Sequence, residues 1–123
     1  MVAASGLTHA IDFVPHSAPF SRGIHVTAFV PVELGREEIV AKAYEAAYAD
    51  EPFVRMPPSP PEVRAVAGTN LADVHVTCGE GVLVVTVAID NLGKGMAGTA
   101  IQNMNLMLGM NERTGLDRPG AGL

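Results

Sequence analysis

Eight consecutive residues, Val82-Leu83-Val84-Val85-Thr86-Val87-Ala88-Ile89, contain one hydroxyl and no charge. A half-exposed strand alternates apolar and polar side chains, because successive residues point to opposite faces. This run does not alternate, so it is expected as a central strand covered on both faces. Residues 73–78 precede it across Gly79-Glu80-Gly81. The two segments are predicted to form an antiparallel hairpin with a three-residue loop, in which glycine is available for a positive φ. One helix cannot cover both faces of such a strand, and self-association is therefore expected.

The rest of the chain reads as a single α+β order. A strand is expected at residues 10–15, then a Pro/Ser/Gly turn, then a longer strand at residues 23–32 rich in β-branched and aromatic side chains, the two pairing with one another. Residues 35–50 form a helix whose apolar side is Ile39, Ala43, Ala46 and Ala47, with Arg36, Glu37, Lys42 and Glu45 on the wet side. Glu37 and Glu38 point about 100° apart on a helix, so they cannot jointly flank one bond and are expected to be solvated. Phe53-Val54-Arg55 is a short extended piece. Met56-Pro57-Pro58-Ser59-Pro60-Pro61 is a loop, since proline donates nothing to a ladder. A second helix at residues 94–108 places Ala97, Ala100, Ile101, Met104, Met107 and Leu108 on one stripe that needs a partner. Core packing is the expectation for Met104, Met107 and Met110. Residues 10–112 are the expected ordered core, and the Gly- and Pro-rich tail 114–123 is expected to fray.

Composition narrows the partners. The 123 residues suit one domain with one core. A net charge of −5, with eight scattered basic residues, argues against a nucleic-acid footprint. A lone Cys78 cannot form an internal disulfide, which fits a reducing compartment, and a cytoplasmic location is expected. Residues 1–6 lack a basic region followed by a long apolar one, and no run approaches about 18 apolar residues, so neither a signal peptide nor a membrane span is expected. His9, His25 and His75 show no metal-ligand spacing, and no metal is expected.

Gly93-Lys94-Gly95-Met96-Ala97-Gly98 matches Gly-x-Gly-x-x-Gly, follows a strand and opens a helix. A dinucleotide fold also needs a parallel strand after that helix and an acidic residue about 20 positions on, and only a Gly-rich tail follows. What remains is a helix start with small side chains and Lys94 beside it, suited to an anion or to a closely packed backbone. Cys78 sits in Val76-Thr77-Cys78-Gly79 at a strand end with no motif histidine, and is read as an inert structural thiol.

Several ordered motifs together resemble one family. They are Phe13-Val14-Pro15-His16, Pro19 and Arg22-Gly23-Ile24; then Tyr48-Ala49-Asp50-Glu51-Pro52-Phe53-Val54-Arg55; then Gly68-Thr69-Asn70 with Asp73. Asp90-Asn91-Leu92-Gly93-Lys94-Gly95, Gln102-Asn103-Met104-Asn105-Leu106-Met107, and Glu112 with Gly115-Leu116 complete the set. The pattern resembles the C-terminal portion of N-acetyl-γ-glutamyl-phosphate reductase, the NADPH-dependent enzyme of arginine biosynthesis, over residues 13–116. The resemblance implies the fold of the C-terminal domain of semialdehyde-type dehydrogenases: α+β, a mixed or mainly antiparallel sheet, two main helices. The family's Gly-Cys-Tyr-Pro cysteine, its His-Arg-His-x-Pro-Glu histidine and its N-terminal dinucleotide-binding domain are absent, so the chain is expected to be a truncated C-terminal domain with no catalytic residue of its own.

The resemblance further implies that Asn91 and Lys94 lie by the nicotinamide end of NADP, although Gly93 replaces a bulkier residue common there. It also places His16 and Arg22 in a loop beside the substrate, where an imidazole and a cation suit a carboxylate or phosphate. The plain alternative for Arg22 is an ion pair with Asp12 or Glu33. The implied partners are another copy of the chain or the missing dinucleotide-binding domain. A non-catalytic assembly module and the related amino-adipate reductase of lysine biosynthesis are the alternative functions.

Overall fold

The computed structural model describes residues 11–117 and 120. Its elements run β1 (Ile24–Pro31), α1 (Glu37–Tyr48), β2 (Val54–Arg55), α2 (Val63–Val66), β3 (Ala72–Gly79), β4 (Val82–Ile89), a π-helical turn (Gly93–Ala97) and α3 (Gly98–Met107). The four strands form one mixed sheet in the order β1-β4-β3-β2. β4 runs antiparallel to both of its neighbours, and β2 runs parallel to β3. The class is the α+β one expected, and the uninterrupted apolar run occupies an interior strand. Among the described residues no helix is long and apolar enough to cross a membrane.

Two local expectations are corrected. Residues 11–15 join no ladder, and residue 10 lies outside the described residues. β1 instead pairs along its whole length with β4, from Ile24 opposite Ile89 to Pro31 opposite Val82. A long apolar strand far along the chain displaced the nearby segment, because it offers eight side-chain pairs at once. In the hairpin, Gly79 pairs with Val82, so the loop is two residues, Glu80-Gly81, and Gly81 takes the positive φ of 70°.

Directly opposed strand residues share a face. One face therefore carries Val74 and Val76 of β3, Leu83, Val85 and Val87 of β4, and Ala28 and Val30 of β1. Val40 and Tyr44 of α1 pack against it, and Leu83 is fully buried. The apolar side predicted for this helix is wrong. Ile39 is 60% exposed, and Ala43, Ala46 and Ala47 face outward. The inward side is Val40 and Tyr44, flanked by Ala41 and Tyr48, which also recur at helical spacing. Both stripes are legible in the sequence. The bulkier one fills the space over the sheet, where alanines would leave voids.

Glu38 is exposed as expected, and Glu37, partly exposed, also makes a specific contact. Its carboxylate accepts the amide of Gly81 at 2.9 Å, and Val32 donates to the Gly81 carbonyl at 3.0 Å, so the hairpin turn is tied to the start of α1. The amides of Glu37 itself and of Gly81 hold the Glu37 carboxyl below the ordinary range.

The opposite face carries Asp73, His75 and Thr77 of β3, Ala88, Thr86 and Val84 of β4, and Thr27 and Phe29 of β1. Arg55 grips Asp73 with two parallel bonds of 2.6 and 2.7 Å and donates to the Ala65 carbonyl of α2, which brings α2 over one end of this face. Val66 and Ala88 are buried there. At the other end Phe29 is 71% exposed.

Candidate functional site

Asp90 is the first residue after β4, and its side chain is completely buried. A carboxylate out of water must be surrounded by donors. Arg22 Nη2 reaches Oδ1 at 2.7 Å, the Leu92 and Gly93 amides reach the same oxygen at 2.9 and 2.6 Å, and the Gly68 amide reaches Oδ2 at 2.6 Å. Burial by itself would raise the Asp90 carboxyl. The Arg22 guanidinium and the three amides override it and hold the group far below the ordinary carboxylate range. Asp90 thus pins three segments to one point: the entry to β1, the loop after α2, and the turn after β4. Next to it, Asn91 Oδ1 accepts the Gly23 amide at 2.8 Å. With the oxygen so used, the Asn91 amide nitrogen is the side's donor.

The turn continues with 6→1 bonds, Gly95 to the Asp90 carbonyl at 2.8 Å and Ala97 to the Leu92 carbonyl at 3.0 Å, giving a π-helical turn before α3 where one unbroken helix was expected. Its glycines serve contact and not phosphate binding. A Cβ on Gly93 would lie 2.4 Å from the Thr69 carbonyl oxygen, and one on Gly98 would lie 2.0 Å from Asn70 Oδ1 and 2.8 Å from the Gly93 carbonyl oxygen. The Leu92 and Gly93 amides, which a phosphate would need, are already spent on Asp90. The arrangement therefore does not fit a pyrophosphate cradle, and of the two readings of the motif the closely packed backbone is the one observed. Gly98→Val is expected to destabilise the chain by about 1–3 kcal/mol, because both neighbours are packed. Urea unfolding of the variant reads this directly, and an unchanged midpoint would mean the turn yields freely.

Lys94 projects from this turn. Its Nζ donates to Gln102 Oε1 at 2.7 Å and stands 5.6 Å from the centre of the buried Phe53 ring, whose other neighbour is Arg113 at 5.5 Å. Burial pushes the Lys94 ammonium below its ordinary value, against the opposing pull of Glu112 and Glu51. Gln102 Nε2 in turn donates to Glu112 Oε1 at 2.5 Å, and the buried Asn105 donates to the carbonyls of Glu112 and Thr114 at 3.1 and 3.0 Å. α3 is thus inverted relative to a surface helix. Its polar residues Gln102 and Asn105 face the domain, while Met104, Met107, Leu108 and Met110 are 45–86% exposed. The core placement expected for the three methionines is corrected: within this chain they are exposed. In the segment where the tail begins, Leu116 is buried and Arg113 pairs with Asp117 at 2.7 Å. Residues 118, 119 and 121–123 lie outside the described residues.

Of the four residues singled out in the sequence, Arg22, Asn91 and Lys94 are brought to one end of the sheet. His16 lies in the exposed segment before β1, apart from them in the hydrogen-bond pattern. Arg22 pairs with neither Asp12 nor Glu33 but with Asp90, 68 positions away. Asp90 itself went unread as a functional position, although an aspartate between an apolar strand and a glycine-rich helix start is a capping signal. Cys78, read as an inert thiol, is free and exposed near the end of β3.

Comparison with known proteins agrees with this geometry. Residues 1–91 match a sequence model described as the semialdehyde dehydrogenase dimerisation domain. The chain is 44% identical over 121 residues to the N-acetyl-gamma-glutamyl-phosphate reductase of Pseudomonas savastanoi pv. phaseolicola, covering 95% of this chain and 35% of that protein. It is 46% identical over 113 residues to the reductase of Thermus thermophilus, covering 89% and 33%, and 45% identical over 117 residues to that of Pseudomonas aeruginosa, covering 92% and 34%. The chain spans about a third of the length of these curated relatives. Since the matched residues contain all four strands and the Arg22–Asp90 pair that closes them, the chain belongs to the semialdehyde dehydrogenase dimerisation-domain family.

Proposed function

We propose that this chain is the C-terminal, sheet-forming domain of an NADP-dependent N-acetyl-γ-glutamyl-phosphate reductase, supplying positioning and assembly but no chemistry of its own. The observation that carries the reading is the Asp90 node, which holds Arg22 and the Asn91–Lys94 turn side by side. Substrate and cofactor contacts must meet where a hydride is transferred, and NADP supplies that hydride when bound. In this reading Asn91 offers its amide nitrogen to the nicotinamide side, with its rotamer fixed by Gly23, and Lys94 adds a partly desolvated cation. Arg22 keeps one edge toward solvent while Asp90 holds the other, a fixed cation for a phosphate or carboxylate. His16 joins that substrate side from the preceding segment. The thiol and general acid that acyl-phosphate reduction needs come from outside this sequence.

Assembly runs through the sheet. The open end of its outer face, around Phe29 and Val84, suits burial against a second copy. Sedimentation equilibrium at micromolar concentration is expected to return a dimer, and a strictly monomeric, cooperatively folded chain would overturn this part. NADPH oxidation assayed with the acyl phosphate is expected to show no turnover by the chain alone. Sustained turnover that disappears in Cys78→Ser would place a nucleophile here and sink the proposal.

A further inference from the structure

An ammonium carries three donors, and those of Lys94 are used unevenly. One is taken by Gln102 Oε1 at 2.7 Å. The Phe53 ring, 5.6 Å away, shields a second side, and among the described residues Lys94 donates to no other acceptor. Gln102 is itself held in one orientation. A carboxylate can only accept, so Glu112 Oε1, 2.5 Å from Nε2, fixes the nitrogen end of the amide and leaves the oxygen end for Lys94 and for the Asn70 amide at 3.4 Å. Glu112 is fixed in turn through its backbone, since the buried Asn105 donates to its carbonyl at 3.1 Å. Holding a lysine side chain in one conformation costs rotamer entropy, which a free surface lysine avoids.

We propose that Gln102 and Glu112 are positioning residues for Lys94: Glu112 sets the Gln102 amide, and the amide holds the ammonium beside Phe53 with a donor left for an anionic ligand such as a phosphate. The proposal rests on the reductase reading, in which Lys94 meets the cofactor. Charge alone does not explain Glu112. A carboxylate beside the ammonium repels an incoming anion, as does Glu51, and Arg113 across the Phe53 ring is already paired with Asp117. What a carboxylate supplies is an acceptor that cannot turn and present a donor to Gln102. Without it the amide is free to rotate by half a turn and set its nitrogen against the ammonium, donor against donor. The ammonium then leaves its place beside the ring.

The test is titration of the 123-residue chain with inorganic phosphate, followed by NMR at the carbon and protons next to the Lys94 ammonium. Lys42 is the only other lysine and serves as the internal reference. Lys94 is expected to respond and Lys42 not. Glu112→Ala is expected to weaken binding about 10-fold, roughly the worth of one hydrogen bond to a charged group. Glu112→Gln keeps an acceptor for the Gln102 amide and is expected to stay within about 2-fold of the unaltered chain. Charge alone gives the opposite result: both variants remove a negative charge, so both would bind phosphate more tightly and to the same extent. That outcome overturns the proposal, as does a Lys94 response no larger than that of Lys42. In a Gln102→Leu background Glu112→Ala is expected to cause no further loss, and a second loss of similar size would overturn the route through Gln102. Glu112 is partly exposed, so its two variants decide alone if Gln102→Leu does not fold. Turnover of the acyl phosphate by the chain alone would remove the reductase reading and leave these responses unchanged, which keeps the two failures apart.

Discussion

Asp90→Ala is expected to destabilise the chain by about 3–5 kcal/mol, the cost of leaving one member of a buried ion pair without the other. Four donors lose their acceptor together: Arg22 Nη2 and the amides of Gly68, Leu92 and Gly93. Water cannot replace the carboxylate without opening the site, since Asp90 is fully buried. Asp90→Asn separates charge from shape. Its oxygen can serve Arg22, Leu92 and Gly93, but its amide nitrogen then faces the Gly68 amide, donor against donor, at a cost of about 1–3 kcal/mol. Urea denaturation measures both variants. If Asp90→Ala falls within about 1 kcal/mol of the parent, the node is not holding the turn.

The same carboxylate makes stability depend on pH with a definite sign. A carboxyl depressed in the folded chain contributes stability that is fully present above its unfolded pKa of about 3.9, and that is lost as pH falls through the folded value. Because Asp90 lies far below the ordinary range, its contribution starts to decline below about pH 4. Glu37, also depressed, acts in the same direction from a more exposed position. Acid titration of the folded chain should therefore show a loss that Asp90→Asn flattens.

Leu83→Ala is expected to cost about 2–5 kcal/mol, through lost transfer free energy plus the cavity left behind. Leu83 is fully buried between the strands and α1, in the same cluster as Val74 and Val85. Val84→Ala makes the comparison, because Val84 is the next residue on the opposite, half-open face. If the domain is a monomer in the assay, Val84→Ala should cost clearly less. Chemical denaturation at low protein concentration checks the difference. Equal losses at the two positions would mean that the outer face is already covered, and would point to a dimer at that concentration.

The sequence by itself determined what depends on neighbours along the chain. β4 was readable residue for residue, since an apolar run with no alternation suits only an interior strand. The family resemblance was carried by ordered local motifs such as Asp90-Asn91-Leu92. Helical periodicity also gave the apolar stripe of α3, but not that Met104 and Met107 would lie exposed.

Tertiary structure decided what depends on residues meeting from afar. Nothing near Arg22 in the chain marks Asp90 as its partner, because a buried ion pair is selected by which side chains the sheet register brings together. Residues 11–15 lost their expected pairing to β4, which offered more side-chain contact than the adjacent segment. α1 carried two stripes of helical period, and only the space above Leu83 and Val85 chose Val40 and Tyr44 over Ile39 and the alanines. The glycines of the turn were visible as a motif. Their purpose was not, because the carbonyl of Thr69 and the amide of Asn70 that demand them come from a loop some 25 residues earlier, and periodicity has no access to a contact of that kind.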